Sequence, residues 1–349
     1  MKKFFVFVIL ILSIFSTLKA NDENLKKMIG QMIMIGFNGT KTNDKWVNQL
    51  AIDAKKGRLG GVMILSRNIE SKKQLKNLTD FLHKNKLLIA IDEEGGFISR
   101  FNKFDDFKHF KSHHFVAQNY DLKQAKAMYK QMAEQLKELK IDINFAPVVD
   151  IHDPKSPIIG SKDRAFSDDI DMISAYASEF IDAFDEVGVY SVLKHFPGHG
   201  SSSIDTHKNE AHINKFDFNE LKPYFALIKR KKAKFIMASH IVAHDIDDEF
   251  PTSLSYKALS ELLKNKMGFE GVVISDDLLM NALAKYSLEE RIVMAVNAGV
   301  DIVLISDYFT KQSNSIKVAN DAIFNAVKSG KISQNRIKDA YNRIQKVLK

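Results

Sequence analysis

Residues 194–207, KHFPGHGSSSIDTH, place a lysine, three histidines and an aspartate within fourteen positions. Cations, imidazoles and a carboxylate at that density can hold a polar substrate, move protons or ligate a metal. The segment follows an apolar run at 187–193 with the length and composition of a buried strand. Pro197 lacks a backbone donor and fixes its own φ, so the strand is expected to end there. Gly198, Gly200 and the serines at 201–203 then suit a loop. A polar loop carried on a buried strand end is a common mounting for an active site.

The rest of the chain supplies seven more runs of the same kind. With the run at 187–194 they lie at 31–37, 60–66, 87–94, 143–150, 235–240, 271–277 and 301–306. Amphipathic stretches of helical period follow them near 43–57, 71–84, 118–139, 168–186, 217–231, 256–267, 286–298 and 312–328, and a last one lies at 333–348. Near-continuous apolar strands alternating with helices indicate a parallel sheet covered on its outer face. Eight such units predict an α/β fold, a single-domain (β/α)8 TIM barrel, with a doubly wound open sheet as the alternative. The ionisable residues gather at the C-terminal ends of the runs: Asp92 and Glu94, Asp150, Lys194 and His195, His240, and Asp276 and Asp277. In a barrel those ends converge on one mouth, where catalytic groups of this fold sit. The strand starts are mostly apolar or glycine, and that asymmetry points to an enzyme.

Such a mouth supports two chemistries. Glycoside hydrolysis needs a carboxylate nucleophile and a separate acid/base. Metal-assisted hydrolysis would use His195, His199, His207, His240 and an aspartate as ligands. Against a metal, no His-x-His pair ends the first strand, no HExxH occurs, and Lys194 would put a cation beside the ion. The expectation is therefore no metal and no cofactor.

KHFPGHG, a short loop and then Asp-Thr-His closely resemble the signature of family 3 glycoside hydrolases. The nearest subgroup is the single-domain β-N-acetylglucosaminidases acting on peptidoglycan fragments. The resemblance takes in GQMIMIGF at 30–37, GGVMILSRNI at 60–69, IDEEGG at 91–96, NFAPVVDI at 144–151 and RAF at 164–166. It continues through MASHI at 237–241, PTSLS at 251–255, GFEGVVISDDL at 268–278 and NAGVDIVL at 297–304. It implies a TIM barrel and hydrolysis with retention, without a metal. Asp276 matches the family's nucleophile; alternation along the strand says only that Asp276 and Asp277 face opposite ways. His207 matches the acid/base and Asp205 its assisting carboxylate. Spacing i and i+2 along an extended segment lets that carboxylate orient the imidazole and keep it protonated. Asp92, Arg100, Arg164, Lys194 and His195 match substrate-binding positions, with Arg100 expected to pair with a carboxylate near the pocket floor. Where the family usually has an arginine this chain has Phe97, a departure that bears on the favoured substrate. Alternatives are another family 3 activity such as a β-glucosidase, a metal-dependent TIM-barrel hydrolase, and a silent sugar-binding protein that would have no use for Asp276, Asp205 and His207 together.

The chain of 349 residues has 45% hydrophobic and 27% charged residues and no cysteine, which excludes disulfides and a lipoprotein anchor. Lys2 and Lys3, an apolar run at 4–15 and a short exit ending in Ala20 have the form of a signal peptide at 1–20. This predicts a periplasmic or secreted protein whose catalytic domain covers 21–349. The formal net charge of +8 falls to +5 without Lys2, Lys3 and Lys19. Basicity spread so thinly is not the clustered patch that nucleic acid needs; the densest run, KRKKAK at 229–234, sits near a helix end. The expected partner is an N-acetylglucosamine-containing glycan, taken up by a monomer.

Overall fold

The computed structural model describes residues 21–200, 202, 206, 209–310 and 313–349. Residues 1–20, expected to be a signal peptide, therefore lie outside the described residues. Eight short strands, almost wholly buried, form one parallel sheet: β1 Ile33–Gly36, β2 Gly61–Ile64, β3 Leu88–Ile91, β4 Ile143–Asn144, β5 Tyr190–Phe196, β6 Phe235–Ala238, β7 Val272–Ser275 and β8 Val303–Ile305. Their order is β7-β6-β5-β4-β3-β2-β1-β8, with Ile33 paired to Val303 across β1 and β8. A parallel bridge between Ile274 and Ile302 joins the two ends and closes the ring. The main-chain N–H of Ser275 donates to Ile302 O at 3.0 Å, and the amide of Asp301 to Val273 O at 2.8 Å.

Helices cover the outer face because their own sequences start and stop them. A segment helical at 21–31 precedes β1. Then come α1 Lys45–Lys55, α2 Lys72–Lys84, α3 Leu122–Glu138, α4 Ile170–Val187 and α5 Lys222–Lys229. After β6 the covering helix is Lys257–Lys266, with π-type hydrogen bonding. The last three are α6 Leu288–Ala298, α7 Ser315–Lys328 and α8 Gln334–Val347. Ser71 with Gln74, Asp121 with Gln124 and Ser287 with Glu290 form capping boxes at α2, α3 and α6. One apolar cluster runs from Leu25 to Ile344 and includes residues of every strand and of the packed helix faces. No helix among the described residues is long and apolar enough to cross a membrane.

Most strands are a few residues shorter than their apolar runs, and in two the reason is local. The fourth stops at Asn144, because Pro147 cannot donate to the ladder, and pairing resumes only as a bridge between Val148 and Lys194. The third stops at Ile91. Its continuation, Glu93–Gly95, turns back against Ile98–Ser99 through Gly95 and Gly96, whose φ values of 81° and 60° suit glycine. Above the barrel, Ala211–Ile213 and Ile241–Ala243 form a two-stranded parallel ribbon beside the loop that follows β5.

Candidate active site

The strand ends enclose a cavity of about 460 Å³ at the C-terminal mouth. Asp92, Glu94, Arg100, Arg164, Lys194, His195, Asp276 and Asp277 line it, drawn from the ends of β3, β5 and β7 and from two loops. All five residues expected to bind substrate are therefore at one place, together with the expected nucleophile. Asp205 and His207 lie outside the described residues.

The floor is an interlocked set of charges. Lys194 Nζ lies 3.0 Å from Asp92 Oδ1 and 2.6 Å from Glu94 Oε1. Arg164 forks onto Glu94, with Nε 2.8 Å from Oε2 and Nη2 2.8 Å from Oε1. Arg100 Nη2 donates to Asp92 Oδ2, the carboxylate pairing expected for it. Burial alone would raise the pKa of Asp92, but Lys194 and Arg100 outweigh it and hold the group at about 2. Burial acts on Glu94 in the same sense, yet Arg164 and Lys194 drive it well below the usual carboxylate range. Glu94 is thus locked as an anion and cannot serve as a proton donor. Arg164 and Lys194 have these carboxylates as partners, so they offer a sugar only their remaining N–H groups.

His195 is oriented by Asp150 from the neighbouring strand end. Its Nδ1 lies 2.7 Å from Asp150 Oδ2, and its main-chain N–H donates to Oδ1 at 3.0 Å. Arg164 Nη2, which can only donate, lies 3.2 Å from His195 Nε2. These contacts assign the proton to Nδ1 and leave Nε2 as the acceptor. Asp150 also accepts the amide of His199 at 2.9 Å, which fastens the start of the following loop. The His199 ring is buried, and burial together with His195 lowers its pKa to about 4, so it is neutral near pH 7. Its Nε2 meets Thr206 Oγ1 at 3.2 Å, and this histidine serves the shape of the loop.

The two aspartates after β7 both line the cavity. Alternation would have sent them to opposite faces, but the strand ends at Ser275 and the rule ends with it. Asp277 is largely taken up by main chain: Oδ1 accepts the amides of Ser306 at 2.9 Å and Leu279 at 3.1 Å. Burial raises its pKa, with Asp276 adding to the rise. The main-chain N–H of Asp277 donates to Asp276 Oδ1 at 2.8 Å. His240 is buried off the cavity, its Nδ1 2.7 Å from Ser253 Oγ and its Nε2 2.9 Å from Asp277 O. It supports the turn that carries both aspartates. Ser275 Oγ accepts the amide of Leu304 and ties β7 to β8.

Sequence reasoning singled out the strand-end carboxylates but not the work of Asp150 or Glu220. The adjacency of β4 and β5 was the signal for Asp150. Glu220 Oε2 accepts the amide of Gly200 at 3.1 Å across a separation of twenty residues, and no local pattern announces that contact. Among the described residues, one group of three side chains could contribute metal ligands: His114, His152 and Asp163, with candidate atoms within 4.8 Å of one another. None of them lines the cavity. The two rings stack with centroids 3.9 Å apart and planes at 8°, which does not aim two lone pairs at one point.

Residues 24–347 match the glycosyl hydrolase family 3 N terminal domain. A beta-hexosaminidase of Tolumonas auensis is 37% identical over 255 residues, covering 70% of this chain and 75% of its own length. One from Nitrosomonas eutropha is 34% identical over 261 residues, 71% of this chain and 73% of the relative. The solved family 3 beta-N-acetylglucosaminidase of a Paenibacillus species superposes with a TM-score of 0.84 at 29% identity, over 92% of this chain; the match spans 61% of that longer protein. The beta-N-acetylhexosaminidase of Beutenbergia cavernae gives a TM-score of 0.82 at 25% identity, over 93% of this chain and 98% of its own. A closed parallel barrel, a charge-locked cavity at its C-terminal mouth and a family match over nearly its whole length make this chain a glycoside hydrolase that belongs to family 3.

Proposed function

We propose that this protein is an exported, retaining β-N-acetylhexosaminidase that removes terminal N-acetylglucosamine from peptidoglycan-derived or related glycans. One observation supports the reading: Asp276 shares a single cavity with Asp92, Arg164, Lys194 and His195, so a carboxylate lines a pocket whose other groups can hydrogen-bond sugar hydroxyls. In the first step an Asp276 oxygen attacks the anomeric carbon while the bond to the leaving oxygen breaks. The leaving oxygen takes the proton of the His207 imidazolium, which Asp205 orients. Water then attacks the same carbon, His207 recovers a proton from it, and the Asp276 carboxylate is released. Glu94 and His199 are poorly suited as the acid, since Glu94 is held ionised and His199 is buried and neutral.

The first test compares release of a chromogenic aglycone from a β-N-acetylglucosaminide and from a β-glucoside. The N-acetylglucosaminide should be strongly preferred; preference for the glucoside would move the protein to another family 3 activity. Asp276→Ala should lower turnover by about three orders of magnitude or more with the fold retained, and a slow fluorosugar should label the peptide 271–280. Labelling of Asp277 or Asp92 would reassign the nucleophile.

The dyad is tested by leaving-group dependence. His207→Ala should slow a disaccharide by about 10²–10⁴-fold and an activated aryl glycoside far less, and the basic limb of the pH–rate profile should flatten. Equal losses on both substrates would rule His207 out. The export reading predicts a mature N terminus near Asn21, which sequencing of protein from its native host would reveal.

A further inference from the structure

Two histidines that take no part in the proposed reaction face each other on the ribbon above the barrel. His212 lies opposite Val242 in that ribbon, and the amide of His244 donates to Ile213 O at 3.1 Å, so the ribbon fixes both backbones. His212 Nδ1 is 3.1 Å from His244 Nε2. The other nitrogen of the first ring, His212 Nε2, is 3.4 Å from Glu210 Oε2, and Glu210 Oε1 is held in turn by Lys285 Nζ at 2.7 Å. Burial would raise the pKa of Glu210, but Lys285 and His212 outweigh it and keep the group ionised. A carboxylate only accepts, so Glu210 holds the proton on His212 Nε2 and leaves the Nδ1 lone pair directed at His244. His212 is exposed and His244 half-buried, and neither lines the cavity at the mouth.

We infer that His212 and His244 form a site for a divalent transition cation of the zinc type, with water completing its shell. Two imidazole nitrogens at about 2.0–2.1 Å from a tetrahedral zinc lie about 3.3 Å apart. The pair already stands at 3.1 Å, and the ring centroids are 5.2 Å apart, so the two nitrogens lie between the rings. Binding exchanges the nitrogen–nitrogen hydrogen bond for two metal–nitrogen bonds. The proton of His244 moves from Nε2 to Nδ1 and none is lost. Glu210 then acts as the outer carboxylate of a carboxylate–histidine–metal chain: it orients the ring and makes Nδ1 a stronger donor. The cation ties the two strands of the ribbon together, and the first strand leads directly from the loop after β5. It takes no part in hydrolysis, and the assignment is independent of the hexosaminidase reading.

Calorimetric titration of the chelator-treated protein with Zn²⁺ tests the site without any substrate. One cation should bind per chain, and His212→Ala and His244→Ala should each weaken it by at least about tenfold. Glu210→Gln, which keeps the shape and removes the charge, should weaken it by about tenfold. An excess of Mg²⁺, which prefers oxygen ligands, should not compete. His152→Ala reports on the other group of possible ligands and should leave the titration unchanged. A second measurement needs no variant: Zn²⁺ should protect the peptide containing His212 from carbethoxylation by diethyl pyrocarbonate, since the reagent needs a free imidazole nitrogen. No saturable binding of Zn²⁺ to the native protein overturns the site. So does binding that survives undiminished in both ribbon variants, binding lost in His152→Ala, or carbethoxylation of His212 at the same rate with and without Zn²⁺. None of these outcomes touches the hexosaminidase reading.

Discussion

Glu93 and Glu94 are adjacent in the chain and live in opposite electrostatic worlds. Glu94 meets Arg164 and Lys194, whereas Glu93 has one hydroxyl, Ser99 Oγ at 2.5 Å from Oε2, and no partner for Oε1 among the described residues. Burial, with Glu94 and Asp92 nearby, pushes Glu93 up to about 8. A carboxyl whose pKa is raised on folding stabilises the fold fully below its ordinary value of 4.5 and loses that contribution as pH climbs toward 8. Glu93→Gln should therefore be close to neutral at pH 5 and more stable than the native protein at pH 9, by about 1–2 kcal/mol; urea titrations at both pH values would show it. Asp92 works the other way: its ion-pair stabilisation is present above 3.8 and is lost as pH falls toward 2. The sequence marked Asp92 and Glu94 as strand-end carboxylates. It could not sort the three acids of DEEGG, because their roles depend on cations that arrive 70 and about 100 residues later.

Element positions were legible because apolar runs and capping residues are local signals: seven strands fall inside the runs that predicted them, and β5 overruns its own by two residues. Boundaries were less so, since Pro147 and the Gly95–Gly96 turn ended strands that hydrophobicity alone would have continued. The loop after β5, proposed to carry the acid/base, is the least legible in the sequence. Its residues have no periodicity, and the role expected of His207 comes only from resemblance. What the structure adds is how the loop starts: His199 is fixed by Asp150, Gly200 by Glu220, and a Cβ on Gly200 would lie 2.0 Å from Ile151 O. Main chain on both sides leaves that clash little room to relax. Gly200→Ala should then lower kcat/KM by at least about tenfold on the N-acetylglucosaminide, with a smaller loss of thermal stability than a core truncation. Unchanged kinetics would mean that this anchor does not set the geometry of the loop.

At the scale of the molecule, counting units pointed to a barrel with an open sheet as the alternative, and said nothing of how the ring is locked. The closure is secured near its base by Asp301, fully buried, whose Oδ2 accepts the amide of Val273 at 2.9 Å. Lys264 lies 3.0 Å from Asp301 Oδ1 and Arg336 of α8 2.7 Å from the same atom, so one carboxylate joins β7, the π-type helix and the last helix. Burial outweighs Asp301 and lowers Lys264 to about 8. Asp301→Asn removes the anion between two cations and should destabilise by about 3–5 kcal/mol, seen as a marked fall in melting temperature. A shift of a degree or less would show that closure relies on packing alone.

The floor of the active site has a consequence for the medium in which the enzyme works. Asp92 and Glu94 pair with Lys194, Arg100 and Arg164 at contact distance. At about 0.1 M salt the screening length is roughly 10 Å, far longer than these contacts. An uncharged sugar offers a long-range field no net charge to act on, and the contact pairs are too short to be screened, so turnover of neutral glycosides should stay flat as ionic strength rises. A hydrolase built this way can work in surroundings whose electrolyte it does not control.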